Sequence, residues 1–118
     1  LFLRALQIDQ QVYSEDHLEV ATDLNNLAGL YLSQGRYVEA ESLFLRALHI
    51  REQQLGPDHP FTANSLNNLA SLYYNLDRLD EAKQLIDHAV AIFTRTLGER
   101  QPRTISSRKW WETIHQST

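Results

Sequence analysis

Leu24, Leu27, Ala28 and Tyr31 follow one another at the i, i+3, i+4, i+7 spacing of a helix with one buried face. The pattern predicts a helix from about His17 to Ser33. Gly35 then breaks it, because glycine adopts the positive φ of a tight helix–helix turn without steric cost. A second helix is expected from Tyr37 to about Leu55, with Tyr37, Ala40, Phe44, Ala47 and Leu48 inward. Ala28, Ala40 and Ala47 are small where two helix backbones come close. In the linker Gly56-Pro57-Asp58-His59-Pro60, Gly56 suits a helix C-cap. Pro60 suits a first turn, where its missing N–H would have no partner in any case. The plan then repeats: Pro60 to Asn75, a turn at Asp77-Arg78, and Leu79 to Leu97. A further linker, Gly98 to Pro102, leads to a last helix from about Arg103 to Gln116. Upstream, Leu1, Leu3, Ala5, Leu6, Ile8 and Val12 predict a helix over residues 1–13, ended near Ser14, which takes the place of Gly56 and Gly98.

The similarity between segments extends to the residues themselves. Leu24-Asn25-Asn26-Leu27-Ala28 returns unaltered 42 residues later, at Leu66-Asn67-Asn68-Leu69-Ala70. Leu1-Phe2-Leu3-Arg4-Ala5-Leu6 returns at Leu43-Phe44-Leu45-Arg46-Ala47-Leu48, and more loosely at Leu85-Ile86-Asp87-His88-Ala89-Val90. Glu39-Ala40 returns as Glu81-Ala82, and Asp16-His17 as Asp58-His59. A fixed period of this size signals stacked supersecondary units. The expected architecture is all-α: six helices in antiparallel pairs, forming a right-handed superhelical solenoid. Its divisions are 1–14 (second helix of an incomplete unit), 15–56 and 57–98 (whole units), and 99–118 (a divergent terminal helix). The chain opens in the middle of a unit, so it reads as a fragment of a longer array whose first helix leaves a sticky apolar flank.

The terminal helix departs from the repeat. The 42-residue offset sets Arg108 against Leu66, Trp110 against Asn68 and Glu112 against Ala70. A glutamate at a helix contact cannot be buried cheaply. A capping helix is therefore expected, with Trp111 and Ile114 inward and its charges outward. Rearranged packing at a cut end is the plainer alternative.

These residues resemble the tetratricopeptide repeat. Leu27, Ala28, Tyr31, Gly35, Tyr37, Ala40, Phe44 and Ala47 stand where that family's consensus wants them. The usual Pro after the second helix is absent, since Glu52 continues the helix. The lengthened second helix, the 42-residue period, the Leu-Asn-Asn-Leu-Ala run and the Gly-Pro-Asp-His-Pro linker are similar to the kinesin light chain subclass. That style occurs in many proteins unrelated to motors, so motor function does not follow. The resemblance implies that first helices line a concave surface. There Thr22, Asn26, Gly29 and Ser33, then Asn64, Asn68, Ser71 and Asn75, would form a polar, uncharged ladder with Tyr74 at its edge. An Asn amide offers donor and acceptor together, which suits the N–H and C=O of an extended peptide. The family's main-chain-holding role is carried to Asn26 and Asn68. Asn25 and Asn67 flank the ladder as candidates, although a bond to a neighbouring helix explains them more simply.

Some family members clamp a C-terminal carboxylate with cations. Those places here hold Asn25, Gly29, Asn68, Ser106 and Trp110, so charge-assisted capture lacks its cations. A neutral groove also argues against strongly acidic ligand motifs, with Arg36 and Arg78 at the flank leaving room for them.

Composition removes other classes. A formal charge of -4 gives no reason to expect nucleic acid, and no apolar run reaches membrane-spanning length. With no cysteine there is neither a disulfide framework nor a thiolate, and a cytoplasmic setting is expected. The five histidines form no ligand pair at metal-binding spacing; His17 and His59 occupy equivalent linkers and suit helix caps. Paired carboxylates such as Asp80-Glu81 fit solvated helix faces. No metal, cofactor or catalytic residue is expected. The expected function is a non-catalytic scaffold that binds an extended peptide or partner segment in its groove. The alternative is a structural or oligomerisation arm of a larger protein, self-associating through its terminal helices.

Overall fold

A computed structural model describes residues 17–117 of the chain. The helix expected over 1–13 and its Ser14 terminus lie outside them. The described residues form five helices: α1 (His17–Ser33), α2 (Tyr37–Leu55), α3 (Pro60–Asn75), α4 (Leu79–Leu97) and α5 (Pro102–Gln116). No strand occurs among the described residues. Each helix packs chiefly on its neighbours in sequence, α1 on α2, α2 on α3, α3 on α4 and α4 on α5, as in a solenoid of helix pairs. α3 also reaches α5.

The turns close as their residues require. Gly35 has φ +76° and Asp77, its counterpart one unit on, has φ +60°. At each turn a backbone N–H reaches back five residues, Arg36 to Tyr31 and Arg78 to Tyr73, both at 2.8 Å. A second bond, reaching back three residues, runs from Gly35 N–H to Leu32 C=O at 3.0 Å and from Asp77 N–H to Tyr74 C=O at 3.1 Å, which completes a Schellman motif. Gly56 and Gly98 end α2 and α4 at positive φ. Pro60 and Pro102 stand in the first turns of α3 and α5. His59 caps α3: its Nδ1 accepts from the Phe61 N–H at 3.0 Å, which requires that nitrogen unprotonated.

The core follows the repeat. Ala28, Ala40, Phe44, Leu69, Ala70, Tyr73, Ala82, Ile86 and Ile114 form one cluster spanning all five helices. Val20, Ala21, Leu24 and Ala47 form a second, and Ala63, Leu66, Ala89, Ile92 and Phe93 a third. The alanines expected at close helix approaches are fully buried.

The expected packing of α5 is corrected at one residue. Ile114 is buried, but Trp111 is 40% exposed, and its neighbour Trp110 is the indole that packs against the core. Trp111 instead donates Nε1–H to Asp87 Oδ1 at 2.6 Å and lies 4.3 Å, centroid to centroid, from the His115 ring. The rotation places Arg108 and Glu112 in the open, so neither charge is buried.

Candidate functional site

The ladder residues occupy the odd-numbered helices, and one row of them continues onto α5. Thr22, Asn26, Gly29 and Ser33 are exposed on α1. On α3, Asn64 and Asn75 are exposed, while Asn68 and Ser71 are half-buried. One period beyond Asn64, Asn68 and Ser71 stand Ser106, Trp110 and Thr113 on α5. The hydroxyls are partly spent on their own helices: Thr22 donates to Leu18 C=O, Ser33 to Leu30 C=O and Ser71 to Asn68 C=O.

The paired asparagines separate sharply. Asn67 Oδ1 accepts from Ser107 Oγ at 2.9 Å, tying α3 to α5. Asn25, with its carbonyl turned toward Arg51, accepts from Nη1 at 2.6 Å and Nη2 at 3.2 Å. Arg51 is only 7% exposed and also donates to Ser65 Oγ at 2.9 Å and Phe61 C=O at 3.2 Å. Asn25 and Asn67 are thus engaged inside the protein. Asn26 and Asn68 make no side-chain hydrogen bond to any other described residue. The amide one position along is the one left facing outward.

Arg51 is a buried cation among neutral acceptors. Burial first, and then the positive charge of Arg103, push its pKa below the usual guanidinium value. Sequence reasoning did not find it. The available signal was Arg51 standing 42 residues before Phe93, a polar residue at a core position.

Two recesses open between α3 and α5. Tyr74, Ser106, Lys109, Trp110 and Thr113 line one of about 320 Å³. Its wall is an edge-to-face pair, Tyr74 against Trp110, with centroids 5.8 Å apart. Asn64, Asn67, Phe93, Pro102, Arg103 and Ser106 line the other, of about 280 Å³. Tyr74 thus shares the first recess with Trp110, Ser106 and Thr113. The sequence reading set Trp110 against Asn68 and put Ser106 and Trp110 at the family's carboxylate-clamp places, without counting either with the polar ladder. It also missed the charge: α3 has no Asp, Glu, Lys, Arg or His from Pro60 to Asn75, but α5 brings Arg103 and Lys109 to the recesses.

Nothing in this arrangement resembles a reaction centre. No group of three or more His, Cys, Asp or Glu side chains able to hold a metal occurs among the described residues. No described helix is long and apolar enough to cross a membrane.

A family model described as the tetratricopeptide repeat matches residues 1–53 and again 23–95. Solved structures give the same fold. BtubC (BKLC) from P. vanneervenii superposes with a TM-score of 0.87 at 25% identity, over 98% of this chain and 46% of that one. A Podosopora anserina putative kinesin light chain with nearly identical TPR-like repeats gives 0.84 at 24% identity, over 98% of this chain and 55% of that one. This chain spans about half the length of those proteins. No match was found among curated proteins.

Proposed function

The chain belongs to the tetratricopeptide repeat family, and on that premise we propose that it is a protein-interaction scaffold holding an extended partner segment along its inner face. The family is non-catalytic. The observation that carries the reading is the division of the asparagines. Asn25 and Asn67 are consumed by internal bonds, whereas Asn26 and Asn68, one unit apart, have amides with no partner among the described residues. Two outward amides in register can each donate to and accept from a ligand main chain. The Tyr74–Trp110 recess would take a large apolar side chain of the same ligand, giving selectivity beside main-chain affinity.

Gly29 supports the reading independently. A glycine inside a helix costs about 1 kcal/mol relative to alanine. Here nothing lies within 4 Å of where its Cβ would stand, so internal packing gives no reason for it. A bare groove floor lets a ligand backbone approach.

The 42-residue unit and the Gly-Pro-Asp-His-Pro linker favour the kinesin light chain-like subclass, and the absence of cysteine favours an intracellular setting. A second reading, an assembly arm of a larger protein, has one observation on its side: Leu30, Val38 and Leu45 are exposed apolar residues on the first unit.

A peptide-array screen tests the groove. Asn26→Ala with Asn68→Ala should abolish the partners that wild type selects while helicity stays unchanged, and Trp110→Ala should alter their side-chain preference. Gly29→Ala should stabilise the fold yet weaken the same peptides. Partners that persist in the double variant defeat the groove reading.

A further inference from the structure

Ser106 is marked out twice, by its sequence context and by its place between two recesses. Of all the serines and threonines in the chain, it alone has an arginine three residues before it, in Arg103-Thr104-Ile105-Ser106. Lys109 follows three residues after it. On a helix, positions three apart are neighbours, with Cβ atoms about 5–6 Å from one another. Arg103 and Lys109 therefore flank the Ser106 hydroxyl, about one turn away on either side.

The fold leaves these three side chains unspent. Ser106, Arg103 and Lys109 are exposed, and none makes a side-chain hydrogen bond or ion pair with another described residue. The nearby hydroxyls are consumed instead: Ser107 is buried and donates to Asn67, and Thr104 is buried and donates to Phe93 C=O at 3.3 Å. Ser106 is also the residue that the two α3–α5 recesses share, with Lys109 lining one and Arg103 the other. The facing helix carries no Asp or Glu from Pro60 to Asn75, so nothing on it repels an anion. Arg51 adds a positive charge that neutral groups alone accompany, since it bonds to Asn25, Ser65 and the Phe61 C=O. Phe61 links the two arginines, with Arg51 on its carbonyl at 3.2 Å and Arg103 6.0 Å from its ring centroid.

We propose that Ser106 is a phosphorylation site for an arginine-directed protein kinase, and that Arg103 and Lys109 hold its phosphoryl group beside the groove. In the reaction, Ser106 Oγ attacks the γ-phosphorus of ATP bound to the kinase. The Oγ–P bond forms as the bond from that phosphorus to the β,γ-bridging oxygen breaks. ADP leaves with the electron pair, and the hydroxyl proton passes to the kinase's base. The product carries close to two negative charges and three acceptor oxygens, which suit a pair of flanking cations. It stands between the two recesses and fills the space where a partner segment would run, so phosphorylation closes that end of the groove. This closing role rests on the groove reading; the modification itself does not. A kinase needs its acceptor in extended backbone, and α5 is built to open there. Its N-cap residue Gln101 makes no side-chain cap bond, whereas His59 caps α3. Thr104, Ile105, Ser106 and Ser107 are also weak helix formers in succession.

The test uses the full chain, a purified kinase that requires arginine three residues before its acceptor, and magnesium ATP. Mass spectrometry should place the phosphoryl group at Ser106 with helicity retained. Ser106→Ala should take up none, and Arg103→Gln should slow the reaction about tenfold or more. A folded chain that resists the kinase, while a peptide of residues 100–112 is phosphorylated, overturns the proposal; so does uptake confined to other residues. In phosphorus-31 NMR, the second ionisation should fall below its ordinary value of about 6, and Lys109→Gln should raise it again. A value equal to that of the phosphorylated peptide overturns the holding role of the two cations. Peptides selected by the unmodified chain should bind the phosphorylated chain about tenfold more weakly, and a phosphatase should restore them. Equal binding to both forms overturns the closing role and leaves the groove reading intact. Partners that survive Asn26→Ala with Asn68→Ala defeat the groove reading instead, and the mapped site and its ionisation still decide the modification.

Discussion

The α2–α3 and α4–α5 joints occupy equivalent places 42 residues apart and are built differently. In the first, the buried guanidinium of Arg51 stands between Asn25 and Ser65 and bonds to both. In the second, Phe93 takes the position of Arg51, and the counterparts Asn67 and Ser107 bond directly at 2.9 Å. The acid-to-aromatic contact also moves. Glu41 meets Tyr73 in the first joint, whereas in the second Asp87, one helical turn beyond the counterpart of Glu41, meets Trp111 and His115. The repeat therefore conserves backbone placement and the Asn–Ser pair of positions, while the filling between them changes from polar to apolar. Burying a cation without a carboxylate carries a desolvation cost that Phe93 avoids. Arg51 offsets it by making hydrogen bonds to two helices at once.

The most damaging way to break this comparison is at its apolar member. Phe93→Ala should lower unfolding free energy by about 3–5 kcal/mol, because a fully packed ring leaves a cavity against Ala63, Leu66 and Ala89. Chemical denaturation reads this directly. Arg51→Ala should cost about 2–3 kcal/mol, leaving the Asn25 and Ser65 side chains without their partner. Arg51→Phe sharpens the comparison. If the two joints are interchangeable, it falls within about 1 kcal/mol of wild type, since a packed apolar group can replace a buried charge. A loss as large as that of Arg51→Ala would show that the first joint cannot close in the second joint's manner.

Tyr73 gives a pH signature belonging to the first joint alone. Burial, reinforced by the hydrogen bond to Glu41, pushes its pKa from an ordinary 10.0 up to about 12. A raised value means the folded state holds this proton more tightly. The contribution to stability is full below pH 10 and is lost as pH rises to about 12. Tyrosinate absorbance should show one late-titrating residue, absent in Tyr73→Phe. The smallest expected effect lies at the turns. Asp77→Gly, which gives the second unit the turn residue of the first, should stabilise by about 0.5–1 kcal/mol by relieving a non-glycine positive φ.

Much of the fold was legible because it is local. Gly35 and Asp77 mark the turns, Gly56 and Pro60 the linker, and Leu24, Leu27 and Ala28 the buried stripe. Each of these acts within a few residues of itself. The proposed groove was legible only in outline. Asn64, Asn68, Ser71 and Tyr74 sit together on or beside one face of α3, but the wall opposite them, Ser106 and Trp110, comes from a helix whose own pattern is weak. With apolar and polar residues mixed on α5, the stripe could not decide between Trp110 and Trp111.

The sequence by itself determined that this is a stack of 42-residue helix pairs, where the helices turn, and which alanines let them approach, because period and turn chemistry are properties of neighbouring residues. The tertiary structure alone decided that Asn25 is consumed and Asn26 is not, that Arg51 is buried, and that Trp110 rather than Trp111 faces the core. Adjacent positions on a helix differ by about 100°. Identical side chains one residue apart therefore face different surroundings, and only the packing of the helices ties one to a neighbouring helix and leaves the other without a partner among the described residues.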